Sequence, residues 1–376
     1  MHITRLSIQH FRNHREATAD FAPHINIITG PNGVGKTSLI DAIHYLCMTR
    51  SFVSGSDRYV VTSGESYFML QGHFRGEIRS EFKVGCSYSR GEGKQIFVND
   101  SPLDRLSDLI GMVPVVVLSP EDRKLTYEGP SERRSFVDSF ISQISSSYLS
   151  DLISYNRIRK QRNRLLQEYR GPLPHLRELL DPWNHQLLDT GSRIIAARTE
   201  VLERFREYLG TQFEALAGLN LKPDLRYETL CDPDTQVDVV REAYSEKLEQ
   251  MLEKEVEREQ TMVGPHRDEV VFLLGDMELR NFGSQGQHRL FAIALKFAQL
   301  FYYSDELEDL PIILLDDVFG NLDPMKTEIV LETLQKHQGQ TFITSASEAP
   351  FEGMSWSGEH GNAWFRLSDG QVERSQ

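Results

Sequence analysis

The chain has 376 residues, 39% of them hydrophobic and 26% charged, and its formal net charge is −14. This length and composition fit one large or two modest globular domains, and the acidic balance argues against indiscriminate binding to nucleic acid. No run of eighteen apolar residues predicts a membrane helix, charge interrupts the N-terminus too early for a signal peptide, and three cysteines without CxxC spacing favour neither disulfides nor zinc, so we expect a cytoplasmic protein.

The first fifty residues predict a strand, a loop and a helix. The apolar run INIIT at 25–29 is typical of a buried strand, and apolar residues recur at helical spacing from Leu39 to Leu46. Between them, GPNGVGKT at 30–37 matches the GxxxxGK[ST] phosphate loop. The motif therefore stands in the strand-loop-helix context that makes it credible.

The phosphate loop predicts a site for ATP and Mg²⁺. Its glycines let main-chain N–H groups turn toward phosphates, and the N-terminus of the next helix adds partial positive charge. Lys36 is expected to reach the β- and γ-phosphates, and the Thr37 hydroxyl to bind Mg²⁺. The predicted nucleotide-binding residues of this loop are Gly30, Pro31, Asn32, Gly33, Val34, Gly35, Lys36 and Thr37.

Residues 67–99 have a different pattern, in which short segments of alternating apolar and polar residues are separated by glycine turns. This pattern predicts an antiparallel meander. The run MVPVVVL at 112–118 predicts a buried strand that ends at SPED.

Between about 131 and 259 helical patterns replace strands. GPLP at 171–174 should end one helix, and Pro182 and Gly191 could interrupt the next. Strand and helix alternation returns afterwards. We therefore predict one α/β domain, split in sequence into 1–128 and 262–376, with a mostly helical lobe at 129–261.

Charge is concentrated within the helical segment. Residues 133–170 carry eight Arg or Lys against three Asp or Glu, and residues 231–260 carry four against ten. The basic side chains could contact a DNA backbone, or they could form a solvated face paired with the acidic segment. The candidate DNA contacts are Arg157, Arg159, Lys160, Arg162 and Arg164. Arg133 and Arg134 could likewise contact DNA or form internal ion pairs. His266 could contact nucleotide or DNA, but a histidine in a Gly-Pro turn is more often a hydrogen-bonded structural residue, which is the expectation here.

The strand PIILLDD at 311–317 ends in two adjacent acids. A core strand gains nothing from paired like charges unless a cation lies nearby. Asp316 is expected to hold Mg²⁺ through water, and Asp317 to orient or deprotonate an attacking water. With Lys36, these two acids are the predicted catalytic residues, and Thr37 and Asp316 are the predicted metal-site residues.

A small polar loop, GSQGQHR at 283–289, precedes an apolar helix. Free N–H groups at a helix N-terminus suit a phosphate. Ser284, Gly286 and Gln287 meet that requirement.

The order of these segments resembles that of ATP-binding-cassette (ABC) ATPases related to structural-maintenance-of-chromosomes (SMC) proteins, and more specifically the RecF family of bacterial recombination mediators. The phosphate loop alone is widespread, but PSERRSFVD followed by GPHRD and SQGQ is far more specific. The segments that carry the resemblance are FRNH at 11–14, RSF at 50–52, VNDSPL at 98–103, VVVLSPED at 115–122, GPSERRSFVD at 129–138, QRNRLL at 161–166, GPHRDE at 264–269 and LLDDVFGNLD at 314–323.

The resemblance implies an ABC-ATPase-like P-loop domain with an antiparallel β subdomain and an inserted helical lobe. It also implies that the loop containing Ser284, Gly286 and Gln287 in one protomer caps ATP held by a second, and that Asp323 contributes to this site. The implied protein is a weak DNA-dependent ATPase of replication, recombination, repair and the SOS response. It would form an ATP-gated homodimer at gapped DNA and act with RecO and RecR to load the strand-exchange recombinase.

Several alternatives are weighed against this interpretation. A transporter ATPase subunit usually has a histidine after the strand TFIT, where this chain has Ser345, and a long-armed chromosome-organising ATPase needs a far longer insert. A nucleotide-binding scaffold with incidental hydrolysis is partly compatible. Two departures from the family leave roles open. The usual glutamine near SPED is absent, so Glu121 either replaces it or lies in a simple turn, and Gly320 and Asn321 replace a Ser-Glu pair.

Overall fold

The computed structural model describes residues 1–78, 80–217, 221–351, 361–368 and 370–375, with the side chain at position 321 outside this description. The chain forms two compact units, Met1–Asp122 with Ile293–Gln376, and Arg123–Ala292. The sequence-based domain limits, 1–128 with 262–376 and 129–261, are not tested by this compactness and stay a prediction. Among the described helices, none combines the length and apolar character needed to cross a bilayer.

The strands follow the chain in the order β1 His2–Phe11, β2 His14–Asp20, β3 Ile25–Thr29, β4 Tyr67–Arg75, β5 Phe82–Ser89, β6 Gly93–Val98, β7 Ser101–Pro102, β8 Val115–Leu118, β9 Pro223–Glu228, β10 Glu269–Leu274, β11 Met277–Glu278, β12 Ile312–Asp316, β13 Thr341–Ser345, β14 Ala363–Ser368 and β15 Gln371–Arg374. The helices are α1 Lys36–Met48, α2 Lys124–Tyr127, α3 Pro130–Ile144, α4 Ser146–Glu168, α5 Leu173–Ala217, α6 Val237–Arg258, α7 Leu279–Phe282, α8 Gln285–Glu306 and α9 Pro324–Lys336.

The first unit contains a sheet in the order β15-β14-β3-β13-β12-β8, parallel except at the β15 edge. Every residue of β3, β12 and β13 is buried, which explains their continuous apolar runs. The register pairs Asp316 with Thr344 and Ser345 with Thr29. The carboxyl ends of β3, β12 and β13 therefore meet at one edge, and the loops after β3 and β12 begin there.

A second sheet of this unit is antiparallel, in the order β2-β1-β4-β5-β6-β7. It contains the meander predicted over 67–99, which is confirmed as β4, β5 and β6. Phe11, Tyr45 and Phe68 meet edge to face in a core that both sheets and α1 share. The helix that follows the phosphate loop is thus held by apolar packing on its buried side.

The second unit is mostly helical, with α5 packed against α4 and α6 and a small sheet in the order β11-β10-β9. The break at GPLP is confirmed between α4 and α5, but the interruptions expected at Pro182 and Gly191 are wrong, since both lie inside α5. A Cβ atom at position 191 would lie 2.6 Å from Cε1 of Tyr244. Gly191 therefore permits a close approach by α6, and the packing of α5 outweighs the helix-breaking tendency of Pro182.

Arg162 of α4 is fully buried and joins three segments of this unit. Its guanidinium donates to Glu255 Oε2 of α6 at 2.5 Å, to Thr261 Oγ1 at 2.9 Å and to Asn184 Oδ1 at 2.8 Å, and Glu255 is also fully buried. The predicted DNA contact at Arg162 is therefore wrong, because its donors are occupied inside the protein. The alternative, pairing between the basic and acidic segments, is correct at this position.

Replacing Arg162 with methionine should lower the free energy of unfolding by about 3–5 kcal/mol, because Glu255 would remain buried without its cation. Urea denaturation followed by circular dichroism measures this change. Arg164→Met is the matched control, since Arg164 lies on the exposed side of the same helix and its one ion pair with a described residue is with exposed Glu168. Equal unfolding midpoints for the two variants would contradict a structural role for the buried pair.

Candidate functional site

The phosphate loop reaches α1 through glycines whose geometry excludes other residues. The φ angle is 156° at Gly30 and 108° at Gly35, the residue that precedes α1. A Cβ at Gly30 would lie 2.5 Å from the Leu367 carbonyl oxygen, and one at Gly35 would lie 2.9 Å from His14 Nε2. Within the described part of the chain, no side chain caps the first turn of α1. Its N–H groups are thus available to an anion at the loop.

Side chains of the FRNH segment form hydrogen bonds with this loop. From the sequence alone, that segment is only a sign of the family. The Asn13 amide donates to the Gly33 carbonyl at 3.0 Å. His14 Nε2 lies 3.0 Å from the Gly35 carbonyl oxygen, and Nδ1 lies 3.1 Å from that of Gly370. These side chains fix the loop's main-chain carbonyls on one side, so its N–H groups can face the other.

Arg12 of the same segment ties α1 to the RSF segment. Its Nε donates to the fully buried carboxylate of Asp41 at 2.6 Å, and Nη2 donates to Ser51 Oγ at 3.0 Å. The Ser51 hydroxyl in turn donates to Asp41 at 2.8 Å. Burial raises the pKa of Asp41, and the Arg12 charge opposes that shift. The cluster thus anchors α1 one turn beyond the residues predicted to hold phosphate.

Lys36 folds over the loop that precedes it. Its ammonium donates to the carbonyls of Gly30 at 2.7 Å and Pro31 at 2.9 Å. Partial burial lowers the pKa of Lys36, and the nearby carboxylates of Asp317 and Asp316 oppose this. The residue predicted to reach the phosphates thus lies within the loop and near both acids.

Thr37, Asp316 and Thr344 form one hydrogen-bonded group where β12 ends. The Thr37 hydroxyl lies 2.9 Å from both Asp316 carboxylate oxygens, and the Thr344 hydroxyl donates to Asp316 Oδ1 at 2.8 Å. Asp316 is 7% exposed, and burial raises its pKa against the effect of these hydroxyls. A divalent cation would favour the charged carboxylate, so this donor set fits Mg²⁺. Sequence reasoning missed Thr344, although TFITS ends at the same sheet edge.

Asp317 occupies a conformation that is unusual for a residue with a side chain. Its φ is 47°, in the left-handed region, and its N–H donates to Thr344 Oγ1 at 3.0 Å. Such a backbone costs of order 1–3 kcal/mol and recurs at functional sites. The two adjacent acids consequently diverge, with Asp316 buried and Asp317 half-buried.

The loop before α8 is held by a reciprocal cap that sequence reasoning did not identify. The Ser284 N–H donates to the Gln287 side chain at 2.7 Å, and the Gln287 N–H lies 3.3 Å from Ser284 Oγ. This is a capping box, and the Ser-x-x-Gln spacing could have predicted it. Ser284 and Gly286 are exposed, as is Phe282 beside them at 70%. The loop therefore presents a small, ordered surface to solvent.

Asp323 caps a different helix. Its carboxylate accepts the Lys326 N–H at 3.0 Å and pairs with the Lys326 ammonium at 2.8 Å, which starts α9. The predicted nucleotide role of Asp323 is not tested by this local arrangement. The neighbouring departure at 321 falls on a side chain outside the described part of the chain.

SPED forms a short helical turn after β8. The Asp122 carboxylate accepts the Ser119 N–H at 2.7 Å and pairs with Lys296 at 2.9 Å. The simple turn that the sequence left open as an alternative is therefore present here. Whether Glu121 replaces the family's glutamine stays a prediction.

The remaining basic candidates fall into two groups. Arg133 pairs with Glu269 at 2.7 Å and is buried, so the internal alternative is correct for it. Arg157, Arg159 and Lys160 have no ion pair with any described residue, and Arg157 and Lys160 are exposed. His266 is a structural residue as expected: its Nδ1 lies 2.6 Å from Tyr155 Oη and its Nε2 3.0 Å from the Thr261 carbonyl oxygen.

Comparison with known proteins identifies relatives along almost the whole chain. The family model described as RecF/RecN/SMC N terminal domain matches residues 2–359. The DNA replication and repair protein RecF of Salinibacter ruber is 44% identical over 354 residues, 92% of this chain and 85% of that protein. RecF of Chloroherpeton thalassium is 40% identical, over 93% of this chain and 96% of its own.

Solved structures agree with these relatives. The structure of the recombination mediator protein RecF-ATP of the RecFOR pathway has a TM-score of 0.90 and 30% identity, covering 99% of each chain. An SMC head domain from Pyrococcus furiosus has a TM-score of 0.57 at 14% identity, covering 99% of this chain and 95% of that one, and supports the fold alone. The predicted fold class, an α/β ABC-ATPase-like domain with an antiparallel β subdomain and a helical lobe, is confirmed. From its motifs, its fold and these relatives, the chain belongs to the RecF family of DNA replication and repair proteins.

Proposed function

We propose that the chain binds ATP and Mg²⁺ at the phosphate loop and hydrolyses ATP there as a slow, DNA-dependent ATPase. The single observation that carries this proposal is the group formed by Thr37, Asp316 and Thr344 beside Lys36, because it places a hydroxyl, a buried carboxylate and an ammonium at the mouth of one loop. The related RecF protein solved with ATP supports the nucleotide. The ATPase domain would comprise 1–128 and 262–376, with 129–261 as its helical lobe.

The residues around the loop would have different roles in ATP binding and hydrolysis. Main-chain N–H groups of 30–37 and the α1 N-terminus would bind the phosphates, and the Lys36 ammonium would neutralise charge on them. Thr37 and Asp316 would hold Mg²⁺, which supplies charge neutralisation when bound. Among the described residues, no three His, Cys, Asp or Glu side chains form a metal cluster, so phosphate oxygens and water would complete the coordination. Asp317 would orient the attacking water or accept its proton.

The second half of the site would come from another copy of the chain. Ser284 and Gly286 lie exposed at the N-terminus of α8, and Gln287 is half-buried there. The partial positive charge of a helix N-terminus favours a phosphate. Asp323 would also contribute to nucleotide binding, as the family resemblance implies. ATP would then join two protomers, and hydrolysis would release them. RecO and RecR as partners, gapped DNA as the site of action and recombinase loading belong to this proposal through family membership alone.

Lys36→Met should weaken ATP binding by about 10- to 100-fold, because it removes a charged donor from the phosphates. Equilibrium titration with a fluorescent ATP analogue measures the affinity. Lys94→Met is the control, since Lys94 is a partly buried lysine of the same unit that pairs with Asp57 outside the loop. Unchanged affinity in the Lys36 variant would sink the phosphate-loop assignment.

Ser284→Arg should keep ATP binding but remain a monomer with ATP, because a long cation would block the approach of a partner's nucleotide. Sedimentation with and without ATP reads the assembly state, and the titration above reads binding. Arg280→Ala, at an exposed position four residues earlier, is a control for surface changes near this loop. Normal dimerisation by Ser284→Arg would rule out capping in trans.

Arg157→Glu combined with Lys160→Glu should weaken duplex DNA binding and flatten its salt dependence. Each lost phosphate contact reduces the slope of log K against log salt by about 0.9. Fluorescence anisotropy with a labelled duplex over a salt series measures both quantities. Arg177→Glu combined with Lys254→Glu, at exposed positions of α5 and α6, is the control for net charge, because it also reverses two cations. An unchanged slope would show that Arg157 and Lys160 form a solvated face of α4 and do not contact DNA.

A further inference from the structure

A polar cavity lies entirely within the helical unit and shares no residue with the phosphate loop. It has a volume of about 250 Å³. Ligand pockets for drug-sized molecules measure roughly 300–1,000 Å³, so this one suits a smaller group. Its polar lining includes Arg134, Ser135, Asp138, Asn156, Arg159 and Arg198.

Arg198 lines this cavity, is buried and pairs with two carboxylates. It donates to Asp138 Oδ1 at 2.8 Å, to Asp268 Oδ2 at 2.9 Å and to the Pro265 carbonyl oxygen at 2.7 Å. Tyr148 accepts a further bond at 3.0 Å. Asp138, the acid in the lining, is thus paired with a buried cation that it shares with Asp268.

Arg134 and Arg159 differ from Arg198, because neither has a carboxylate partner among the described residues. Arg134 donates to a main-chain oxygen, that of Asp268, at 2.7 Å. Burial lowers the pKa of Arg134, and the Arg198 charge lowers it further. The nearby carboxylates of Glu269, Asp268 and Asp138 oppose this lowering without pairing directly with Arg134. Arg159 is half-buried and has no recorded hydrogen bond or ion pair within the described ranges. Two guanidiniums therefore line the cavity with no carboxylate of the described residues bound to either.

His266 lines the same cavity but adds no charge to it. Burial lowers its pKa to about 3, and the nearby charges of Arg159, Arg267 and Arg134 also disfavour its protonated form. The Thr261 carbonyl oxygen requires Nε2 to carry the proton, so Nδ1 accepts from the Tyr155 hydroxyl. The charged side chains of the lining are therefore three arginines and Asp138, and the guanidiniums stay charged at any physiological pH.

We propose that this cavity binds a phosphate group through Arg134 and Arg159, with Ser131, Ser135 and Asn156 as further hydrogen-bond donors. Planar guanidiniums match phosphate oxygens in pairs, and the volume admits one phosphate rather than a nucleotide. The group could be a phosphodiester of a DNA backbone or a free phosphate ion. Only the DNA source rests on the proposed function, and a free ion would bind whether or not that function is correct.

The free-ion source is tested in full-length Lys36→Met protein, which minimises binding at the phosphate loop. Inorganic phosphate is titrated at constant ionic strength while the thermal unfolding midpoint is followed. The midpoint should rise in Lys36→Met and in its Arg177→Gln derivative, and should not rise when Arg134→Gln or Arg159→Gln is added, because binding to the folded state alone is stabilising. Arg134→Lys and Arg159→Lys should restore part of the rise, which separates loss of charge from loss of folding.

The DNA source is tested with otherwise native full-length chains. Arg134→Gln or Arg159→Gln should reduce the slope of log K against log salt for a labelled duplex by about 0.9 relative to Arg177→Gln. A change in this slope alone identifies a DNA phosphodiester, and loss of the thermal shift alone identifies a free ion. If both measurements match those of Arg177→Gln, the cavity is not a phosphate site. ATP titration of each variant keeps that result distinct from failure of the ATPase proposal.

Discussion

The hydrogen bonds that converge on Asp316 are the constraint on which the candidate site depends. Thr37 reaches this carboxylate from the start of α1, and Thr344 reaches it from the neighbouring strand β13. Their meeting requires the register that pairs Asp316 with Thr344 and the strand order that puts β13 between β3 and β12. A shift of that register by one residue would turn the carboxylate to the other face of the sheet. The position of the Asp316 carboxylate beside Thr37 therefore depends on the order and register of the strands.

Support for the phosphate loop comes from residues that make no contact with a ligand in any proposed role. Asn13 and His14 hold the loop's carbonyls, and the buried cluster of Arg12, Asp41 and Ser51 holds the helix behind it. The loop is thus shaped before any nucleotide arrives, which limits the ordering cost of binding. The family segments FRNH and RSF are far apart in sequence, but both hold the phosphate loop and the helix that follows it in place.

The sequence predicted the phosphate loop, the strand ending in paired acids and the meander, because each depends on local spacing or on short-range periodicity. Thr344 could not be assigned, since its role follows from which strand neighbours β12. Arg162 could have been placed correctly: Tyr155, Ile158, Arg162 and Leu166 recur at helical spacing and are all buried. The prediction of DNA contacts rested on the number of basic residues in this segment and did not consider the buried face of the helix. The continuity of α5 through Pro182 was beyond local rules, because its packing partners α4 and α6 come from distant segments.

The capping box before α8 has a consequence for association. Ser284 and Gln287 already satisfy each other's main-chain N–H groups, so the conformation of this turn is fixed in a single protomer. In the proposed dimer, a partner would meet a turn that is already ordered. The conformational entropy of this turn is lost when the chain folds, so association does not have to offset that loss again. The adjacent exposed ring of Phe282 then offers apolar area that only a second surface can remove from water. In the proposed dimer, the order of this turn would therefore lower the entropic cost of association.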